Sequence, residues 1–383
     1  MVAGSRRNTV CRNWRDHSGQ CEIRNSGRSG FYRRLFGGLG PSGWARHGSV
    51  ALLAALCGAY AVPALASPTL DNPIEIEENL AAAQSAFNAG QYAAALTRAK
   101  TAANLGSTDG AIMAGYILRY GKAGYTDMKG AREWYEKAAA KGHPDGFVAL
   151  GEMGIRGQAG LTKSDAIGWL TRASEAGRTD AMRALSDLYR TGQGASKNTD
   201  KSQDLLKQAS ESFDAEATKR LGDSLFESDA KTALKHYEAA AAAGHLEAAY
   251  IAGIMYAENF DIRPNSEKSA QYLKQAAYGG HPAAMADYGL RVYQGYGAER
   301  SAEDAAEWFR KSALAGDSEG QFLYAFTLAK GDGVEASLED AYYWVLKSNE
   351  SGVESYDSDR AALKEGLEGK LDLAAQDRVK ARL

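Results

Sequence analysis

The chain has 383 residues, of which 44% are hydrophobic, and its formal net charge is −3. The charge is unevenly distributed, because residues 1–66 contain nine arginines and two acidic residues. The remainder keeps 36 of the 45 basic and 46 of the 48 acidic residues, which gives it a net charge of −10. Nucleic acid is excluded as a partner, because binding phosphates needs basic patches and this acidic remainder shows none. All three cysteines lie in residues 1–66, so the remainder has no disulfide to form.

Residues 1–66 form a leader with the features of an export signal. The apolar run SVALLAALCGAYAVP at 49–63 follows Arg46 and precedes the small-residue sequence ALA at 64–66. This order predicts a signal peptide that is cleaved before Ser67. The mature chain is then expected in the periplasm, with no stable membrane span left after cleavage.

Other interpretations of the leader stay open. A transmembrane helix fits less well, because a span needs about 20 apolar residues. The segment before the apolar run is longer than the start of an ordinary signal peptide, so the true start codon is expected downstream of Met1. Arg33-Arg34 is similar to a twin-arginine export motif. Cys57 is a candidate for lipidation, although Leu56 occupies a position that normally needs a small residue.

One pattern recurs seven times between residues 134 and 352. It starts at a bulky residue, usually aromatic, and ends eight residues later, usually at glycine. The copies are WYEKAAAKG at 134–142, WLTRASEAG at 169–177, LLKQASESF at 205–213, HYEAAAAAG at 236–244, YLKQAAYGG at 272–280, WFRKSALAG at 308–316 and WVLKSNESG at 344–352. They start 35, 36, 31, 36, 36 and 36 residues apart. Such a period indicates a stack of equal supersecondary units.

Each unit is expected to contain two helices, because its apolar residues recur at spacings of three and four. A small residue precedes the bulky one by 18 or 19 residues in most units, and it lets the neighbouring helix approach closely. A second glycine is expected to end the first helix, where a left-handed backbone costs glycine little. These glycines are Gly121, Gly157, Gly192, Gly295 and Gly331. The bulky residue is expected in the core, so replacing Trp308 by alanine should cost about 3–5 kcal/mol.

The pattern resembles the Sel1-like repeat family, a relative of the tetratricopeptide repeats. The segment YGLRVYQGYGAERSAEDAAEWFRKSALAGDSEGQ at 288–321 carries the resemblance most fully. Its matching positions are Gly289, Gly295, Gly297, Ala305, Trp308, Phe309 and Gly316. The resemblance covers roughly residues 110–352. It implies an all-α fold, an α-solenoid of helical hairpins that forms a right-handed superhelix.

These observations divide the rest of the chain into three parts. Residues 67–108 are predicted to form an N-terminal tetratricopeptide-like helical pair, because FNAGQYAAALTRAKTAANLG ends at Gly106, in phase with the repeats. Residues 109–352 are predicted to form seven Sel1-like repeats. Residues 353–383 are predicted to form a polar C-terminal capping helix, which protects the last apolar face of the stack.

Two repeats depart from the pattern. The repeat around Gly222 lacks about five loop residues, and the repeat at 181–213 has Leu205 and Phe213 where the others have an aromatic residue and glycine. We therefore expect residues 181–248 to be the least stable part of the stack.

The sequence contains no motif for a catalytic site, a cofactor or a metal ion. His143, His245 and His281 each follow a glycine that ends a repeat signature, so they lie in phase. Packed helices are about 8–10 Å apart, whereas the ligands of one metal ion lie about 2 Å from it. The three histidines are therefore interpreted as turn residues, and we expect no enzyme activity and no cofactor.

A partner-binding surface is expected on the first helices, which line the concave side of such a solenoid. With the small residue as position 0, positions −3, +1 and +4 share one face. They are charged in the third unit, as at Arg183 and Asp187, and mostly apolar in the last three units. The candidate partner-binding residues are Tyr250, Ile254, Leu290, Tyr293, Phe322 and Phe326. A contiguous apolar patch marks an interaction site, and the alternative is burial by tighter coiling or by the C-terminal helix.

The family resemblance implies a periplasmic scaffold or adaptor that binds a protein or peptide and regulates or supports a cell-envelope process. The alternative is a secreted or surface-exposed factor that binds host molecules. A hydrolase ranks third, because relatives described as β-lactamases carry paired cysteines in each repeat and this array carries none.

Overall fold

The computed structural model describes residues 73–258, 260, 262–348 and 357–383. Within these residues the chain forms eighteen α-helices and one short 3-10 helix, and it contains no strand. The predicted leader and its cleavage site lie outside the described residues.

The α-helices form a pair, seven consecutive hairpins and a second pair. In chain order they are α1 Pro73–Asn88, α2 Tyr92–Asn104, α3 Thr108–Arg119, α4 Met128–Ala140, α5 Pro144–Ile155, α6 Lys163–Glu175, α7 Thr179–Thr191, α8 Thr199–Glu211, α9 Ala215–Leu225, α10 Ala230–Ala242, α11 Leu246–Ala257, α12 Ser266–Tyr278, α13 Pro282–Gln294, α14 Ala302–Leu314, α15 Ser318–Lys330, α16 Leu338–Ser348, α17 Asp357–Glu368 and α18 Leu373–Lys380. Repeats 1 to 7 are the hairpins from α3–α4 to α15–α16, and the 3-10 turn Gln158–Gly160 joins α5 to α6.

Local signals set the ends of these helices. Asp127 begins α4 by accepting a hydrogen bond from the Gly130 amide at 2.8 Å, which satisfies one of the free N–H groups of the first turn. The five glycines predicted to end the first helices all have a left-handed backbone, with φ between 62° and 74°. This prediction is therefore confirmed.

The core of a repeat forms where the small residue of the first helix meets the second residue of the signature. At Gly289, an added Cβ would lie 2.7 Å from the ring of Phe309, so any larger side chain would push the two helices apart. The same arrangement places Gly115 on Tyr135, Gly151 on Leu170, Gly222 on Tyr237 and Gly253 on Leu273. One close contact therefore sets the spacing of the hairpin in five of the repeats.

The first signature position differs from expectation. Trp308 is only half-buried, whereas Phe309 is 2% exposed. The indole packs against Tyr278 and Tyr288, with ring centroids 5.0 and 5.4 Å away. The core position thus lies one residue later than the sequence indicated, and the tryptophan packs at the edge of the hairpin.

The C-terminal end contains two helices where the sequence predicted one. Asp372 accepts a hydrogen bond from the Ala375 amide at 2.7 Å, and this cap starts a new helix after the break at Gly369. Leu367 of α17 and Val379 of α18 belong to the same core cluster as the apolar residues of α15 and α16. The pair therefore covers the last apolar face, which is the role assigned to the predicted cap.

The irregular repeats contain polar and strained features. Phe213 occupies the place of a signature-ending glycine and has φ 62°. In repeat 3, the hydroxyl groups of Ser186 and Ser202 lie 2.7 Å apart in the core. After the short loop of repeat 4, Phe260 of the next loop lies against Phe226, with ring centroids 5.4 Å apart. The following repeat thus supplies packing where loop residues are missing.

Candidate partner-binding surface

The six candidate residues do not form one exposed apolar patch. Ile254 is 8% exposed and Phe322 is 5% exposed, so both belong to the core. The expectation that they line an open surface is wrong for these two. The guanidinium of Arg360 in α17 lies 5.9 Å from the centre of the Phe322 ring, which is the burial by the C-terminal helix that the sequence left open. The remaining four residues are half-buried: Tyr250, Leu290, Tyr293 and Phe326.

Tyr250 links repeats 5 and 6. Its ring stacks on the imidazole of His281 with centroids 4.6 Å apart, and its hydroxyl and the Asp287 carboxylate of α13 influence each other's pKa. Burial raises the pKa of Asp287 to about 6, although the Tyr250 hydrogen bond and Arg291 act in the opposite direction. Burial also raises the pKa of Tyr250 well above 10.

Acidic side chains of three repeats lie near this pair, together with one arginine. Asp317 and Glu258 add to the rise in the pKa of Asp287, whereas Arg291 lowers it. Asp287, Glu319 and Asp317 add to the rise in the pKa of Tyr250. Charged groups of repeats 5, 6 and 7 therefore meet at this junction.

Tyr293 makes a second link of the same kind, between repeats 6 and 7. Its hydroxyl donates to Asp332, in the loop after α15, at 2.5 Å. This hydrogen bond is the main reason that the pKa of Tyr293 is raised. Leu290 lies between Asp287 and Tyr293 along α13, and Phe326 has the ammonium of Lys330 4.1 Å from its ring centre. We call the set Tyr250, Asp287, Leu290, Tyr293, Phe326 and Asp332 the tyrosine–aspartate surface.

The equivalent face of the earlier repeats carries internal ion pairs. Arg119 pairs with Glu152 at 2.9 Å, and Arg183 pairs with Asp214 at 3.1 Å. The other pairs on these first helices are Lys219–Asp223, Arg190–Asp187 and Arg220–Asp187. The predicted change from charged to apolar positions therefore runs from the earlier repeats, whose charged side chains pair with one another, to the tyrosine–aspartate surface of the later repeats.

The three in-phase histidines have a role that the sequence did not reveal. His143, His245 and His281 begin α5, α11 and α13, and the Nδ1 of each accepts a backbone N–H. Each Nε2 faces a carboxylate of the preceding repeat, and those carboxylates belong to Asp109, Glu216 and Glu247. Because Nδ1 is an acceptor, the proton lies on Nε2 and points at the acid. Each histidine therefore caps a helix and joins two repeats.

The described residues contain no group of three or more His, Cys, Asp or Glu side chains arranged to hold a metal ion. None of the helices resolved in this part of the chain combines the length and the apolarity that a membrane crossing requires.

Asp287 and Asp332 were missed by the sequence analysis. Neither lies at positions −3, +1 or +4 of its unit. A signal was nevertheless present, because each follows its tyrosine by about one repeat length, 37 and 39 residues later. In a stack of near-identical units, residues one period apart lie side by side.

Comparison with known proteins identifies the family. The Sel1 repeat matches seven segments of the chain, at 108–143, 148–177, 179–212, 220–245, 246–281, 282–317 and 318–353. Since these segments cover more than half of the sequence, the chain belongs to the Sel1 repeat family. Sel1 repeats imply a scaffold for protein–protein interaction. No curated protein matches the chain significantly.

A solved structure shows the same fold. The Sel1 repeat protein from Oxalobacter formigenes is 20% identical, with a TM-score of 0.61, and the match covers 76% of this chain and 88% of that one. A protective antigen of uropathogenic Escherichia coli strains, which displays an SLR fold, is also 20% identical. That match covers 81% of this chain and 82% of that one, with a TM-score of 0.36. The first similarity establishes the fold as an α-solenoid of Sel1 hairpins.

Proposed function

We propose that the protein is a periplasmic scaffold that holds a protein partner on the tyrosine–aspartate surface and thereby supports or regulates a cell-envelope process. The single observation that carries the partner site is that this surface keeps half-exposed apolar and aromatic side chains. The same face of the earlier repeats carries charged side chains that pair with one another. The periplasmic location is supported by the apolar run and the ALA sequence before Ser67.

The test of the site is a double variant, Leu290→Asp with Phe326→Asp. Both side chains are half-buried, so the variant should keep its helical circular dichroism and a cooperative unfolding transition, with its Tm lowered by a few degrees. It should lose the proteins that co-purify with the wild type under native conditions, because aromatic and apolar anchors dominate protein interfaces. The matched control is Tyr278→Asp with Leu314→Asp, since these apolar side chains are 70% and 62% exposed on second helices.

Three outcomes contradict the site. If the double variant unfolds, the two side chains are core residues. If it folds and keeps every partner, or if the control loses the same partners, the binding surface lies elsewhere. N-terminal sequencing of the cell-associated protein tests the location, and a start at residue 1 would reject export. Recovery from the medium would favour the alternative, a secreted factor that binds host molecules.

A further inference from the structure

Large apolar side chains stand exposed at the ends of two neighbouring second helices. Tyr278 is the last residue of α12 and is 70% exposed, and Leu314 is the last residue of α14 and is 62% exposed. They occupy the same position of repeats 5 and 6. The equivalent residues of repeats 1 to 4 are smaller or acidic, namely Ala140, Glu175, Glu211 and Ala242. Among these six repeats, an exposed bulky apolar residue at this position is therefore confined to repeats 5 and 6.

Trp308 joins the two side chains into one patch. The Tyr278 ring packs edge-on against the indole, with centroids 5.0 Å apart, and Leu314 lies about 9 Å further along α14 at 1.5 Å per residue. A lysine lies over each ring. The ammonium of Lys274 is 5.8 Å from the centre of the Tyr278 ring, and that of Lys311 is 4.6 Å from the centre of the Trp308 ring. We call these five residues the lysine–aromatic edge.

The outward side of these two helices is cationic. With the first signature residue as position 0, positions −1, +2, +3 and +6 share the side of a second helix that faces away from the core. In α12 and α14 these positions hold three cations, Lys274, Arg310 and Lys311, and one acid, Glu307. In the second helices of repeats 1 to 4 they hold four cations and six acids. The net charge of this side therefore changes from −2 in the earlier repeats to +2 in repeats 5 and 6.

Only part of the positive charge is neutralised within the described residues. Glu307 pairs with Arg310 at 2.8 Å and lies 3.7 Å from Lys311. Lys274 contacts a ring there rather than a carboxylate. Asp317, in the turn after α14, is bound to the Gly320 amide and the Ser312 hydroxyl as the cap of α15. The two lysines of the edge thus remain available to an anion.

The helix dipole does not account for this distribution of charge. The C-terminus of any helix attracts cations. However, α6 and α8 end at Glu175 and Glu211, although their dipoles have the same direction as those of α12 and α14. The combination of bulky apolar side chains and lysines at one edge needs another explanation.

These components fit the surface of an anionic bilayer. Tyr and Trp rings lie at the level of the head groups, and an apolar side chain such as Leu enters the boundary with the acyl chains. A lysine keeps its stem along apolar surface while its ammonium reaches the charged layer, where anionic lipids attract it. Tyr278 and Leu314 stand on helix ends and not in a groove, so a continuous surface reaches both without matching pockets.

We propose that the lysine–aromatic edge attaches the protein to the anionic head-group layer of a bilayer, with Tyr278 and Leu314 inserted and Lys274 and Lys311 placed on lipid phosphates. The edge belongs to second helices, whereas the tyrosine–aspartate surface belongs to first helices and the loop after α15. A bilayer and a protein partner can therefore be bound at the same time. The attachment goes beyond the proposed function and does not depend on which partner the scaffold holds.

The test is co-sedimentation of residues 67–383 with lipid vesicles. The leader is left out because its apolar run at 49–63 would bind bilayers by itself, and residues 71–383 form a compact unit of their own. One set of vesicles contains phosphatidylcholine alone, and the other contains equal parts of phosphatidylcholine and phosphatidylglycerol. We expect about tenfold tighter binding to the mixed vesicles, with a difference that shrinks as salt is raised.

The apolar part of the edge is tested by Tyr278→Gln with Leu314→Gln. Both side chains are exposed, so the variant should keep its helical circular dichroism and bind the mixed vesicles about tenfold more weakly. The matched control is Tyr125→Gln with Tyr296→Gln, because these rings are 53% and 56% exposed in loops that precede second helices. It should bind like the wild type.

The charged part is tested by Lys274→Gln with Lys311→Gln, which should weaken binding to the mixed vesicles several-fold and leave binding to phosphatidylcholine unchanged. The control, Lys129→Gln with Lys207→Gln, removes two cations from exposed positions of repeats 1 and 3. Equal losses in the two variants would mean that only the net charge matters, and this would overturn the proposal.

A fluorescent label reports the contact itself. Residues 67–383 contain no cysteine, so Leu314→Cys and Tyr296→Cys can each carry one nitrobenzoxadiazole group. Its emission should shift to the blue on mixed vesicles at position 314 and stay unchanged at position 296. An unchanged emission at 314, a wild type that binds neither kind of vesicle, or a Tyr278→Gln with Leu314→Gln variant that binds like the wild type would each overturn the proposal.

The same edge could instead hold a protein, and the measurements separate the two cases. If the wild type ignores vesicles while Tyr278→Asp with Leu314→Asp loses co-purifying proteins, the edge is a protein interface and the bilayer is rejected. The proposed function fails on different variants, since it depends on Leu290→Asp with Phe326→Asp and not on vesicle binding.

Discussion

The Nε2 atom of His281 lies 2.9 Å from a carboxylate oxygen of Glu247, and this contact joins repeat 6 to repeat 5. His245 joins repeat 5 to repeat 4 in the same way, through Glu216. The hydrogen bond from each histidine is the main reason that the pKa of its glutamate is lowered. The contacts lie next to the turns, and they fix the start of one first helix on the start of the previous one.

Glu247→Gln should lower the free energy of unfolding by about 1 kcal/mol at pH 7, the value typical of a partly solvated charge-assisted hydrogen bond. Because the folded-state pKa of Glu247 is depressed, its contribution is present above the unfolded pKa and is lost as the pH falls through the folded pKa. Thermal unfolding should therefore separate variant and wild type at pH 7 and bring them together towards pH 3. Glu133→Gln, at an exposed site, is the control, and an equal effect there would contradict the assignment.

Asp287→Asn should raise the free energy of unfolding, in contrast to Glu247→Gln. The folded pKa of about 6 lies above the value of an unfolded aspartate, so stability is lost as the pH rises through that range. The variant should be more stable than the wild type by about 1–2 kcal/mol at pH 7.5, after allowance for solvent screening, and equally stable near pH 4. Thermal melts at the two pH values measure this. A variant that is less stable at pH 7.5 would show that the ionised carboxylate supports the fold.

The fold was predictable because its signals repeat. A period of 36 residues, seven signature copies and in-phase glycines indicate stacked hairpins more strongly than any single helix pattern does. The binding surface was only partly predictable. Helical spacing places Ile254 and Leu290 at equivalent positions, but it does not reveal how closely successive hairpins pack or that α17 covers Phe322. Hydrogen bonds between repeats, such as that from Tyr293 to Asp332, depend on the same packing.

Phe309→Ala should destabilise the protein more than Trp308→Ala. Phe309 is 2% exposed and packs on Gly289, so its removal should cost about 3–5 kcal/mol through lost burial and a cavity. Trp308 is half-buried, and we expect about 1–2 kcal/mol, less than the sequence alone suggested. Urea unfolding followed by circular dichroism compares the two. A larger loss for Trp308→Ala would restore the first signature position as the core position.

Residues 181–248 should exchange their amide hydrogens fastest among the repeats. Polar side chains occupy buried positions in this part, namely Ser186, Ser202, Asp214, Thr218 and Lys219. Thr218 and Lys219 stand where repeat 2 buries Phe147 and Val148, and stability in a stack is a sum over repeats and their neighbours. Hydrogen exchange read by mass spectrometry checks this, with peptides from 282–330 as the internal comparison. Slower exchange in 181–248 than in that comparison would reject the expectation.

Phe213→Gly should stabilise the protein. Phe213 ends α8 with φ 62° and its side chain is 92% exposed, whereas the equivalent residue of repeat 2, Gly177, has φ 81°. A left-handed backbone costs a non-glycine residue about 1–2 kcal/mol. The exposed ring buries little apolar surface, so it offsets little of this cost. Glycine also gains freedom in the unfolded chain, which offsets part of the benefit. We expect a net gain of about 0.5–1 kcal/mol in urea unfolding.

Two matched variants separate the backbone effect at this turn from the effect of the ring. Phe213→Ala removes the ring and keeps the Cβ, so its stability should stay near that of the wild type. Gly177→Ala should be destabilised by about 1 kcal/mol, because an added Cβ there meets no atom within 4 Å and only the backbone conformation is penalised. If Phe213→Gly and Phe213→Ala both destabilise the protein equally, the exposed ring makes a stabilising contact, and the strain at this turn is not what limits repeat 3.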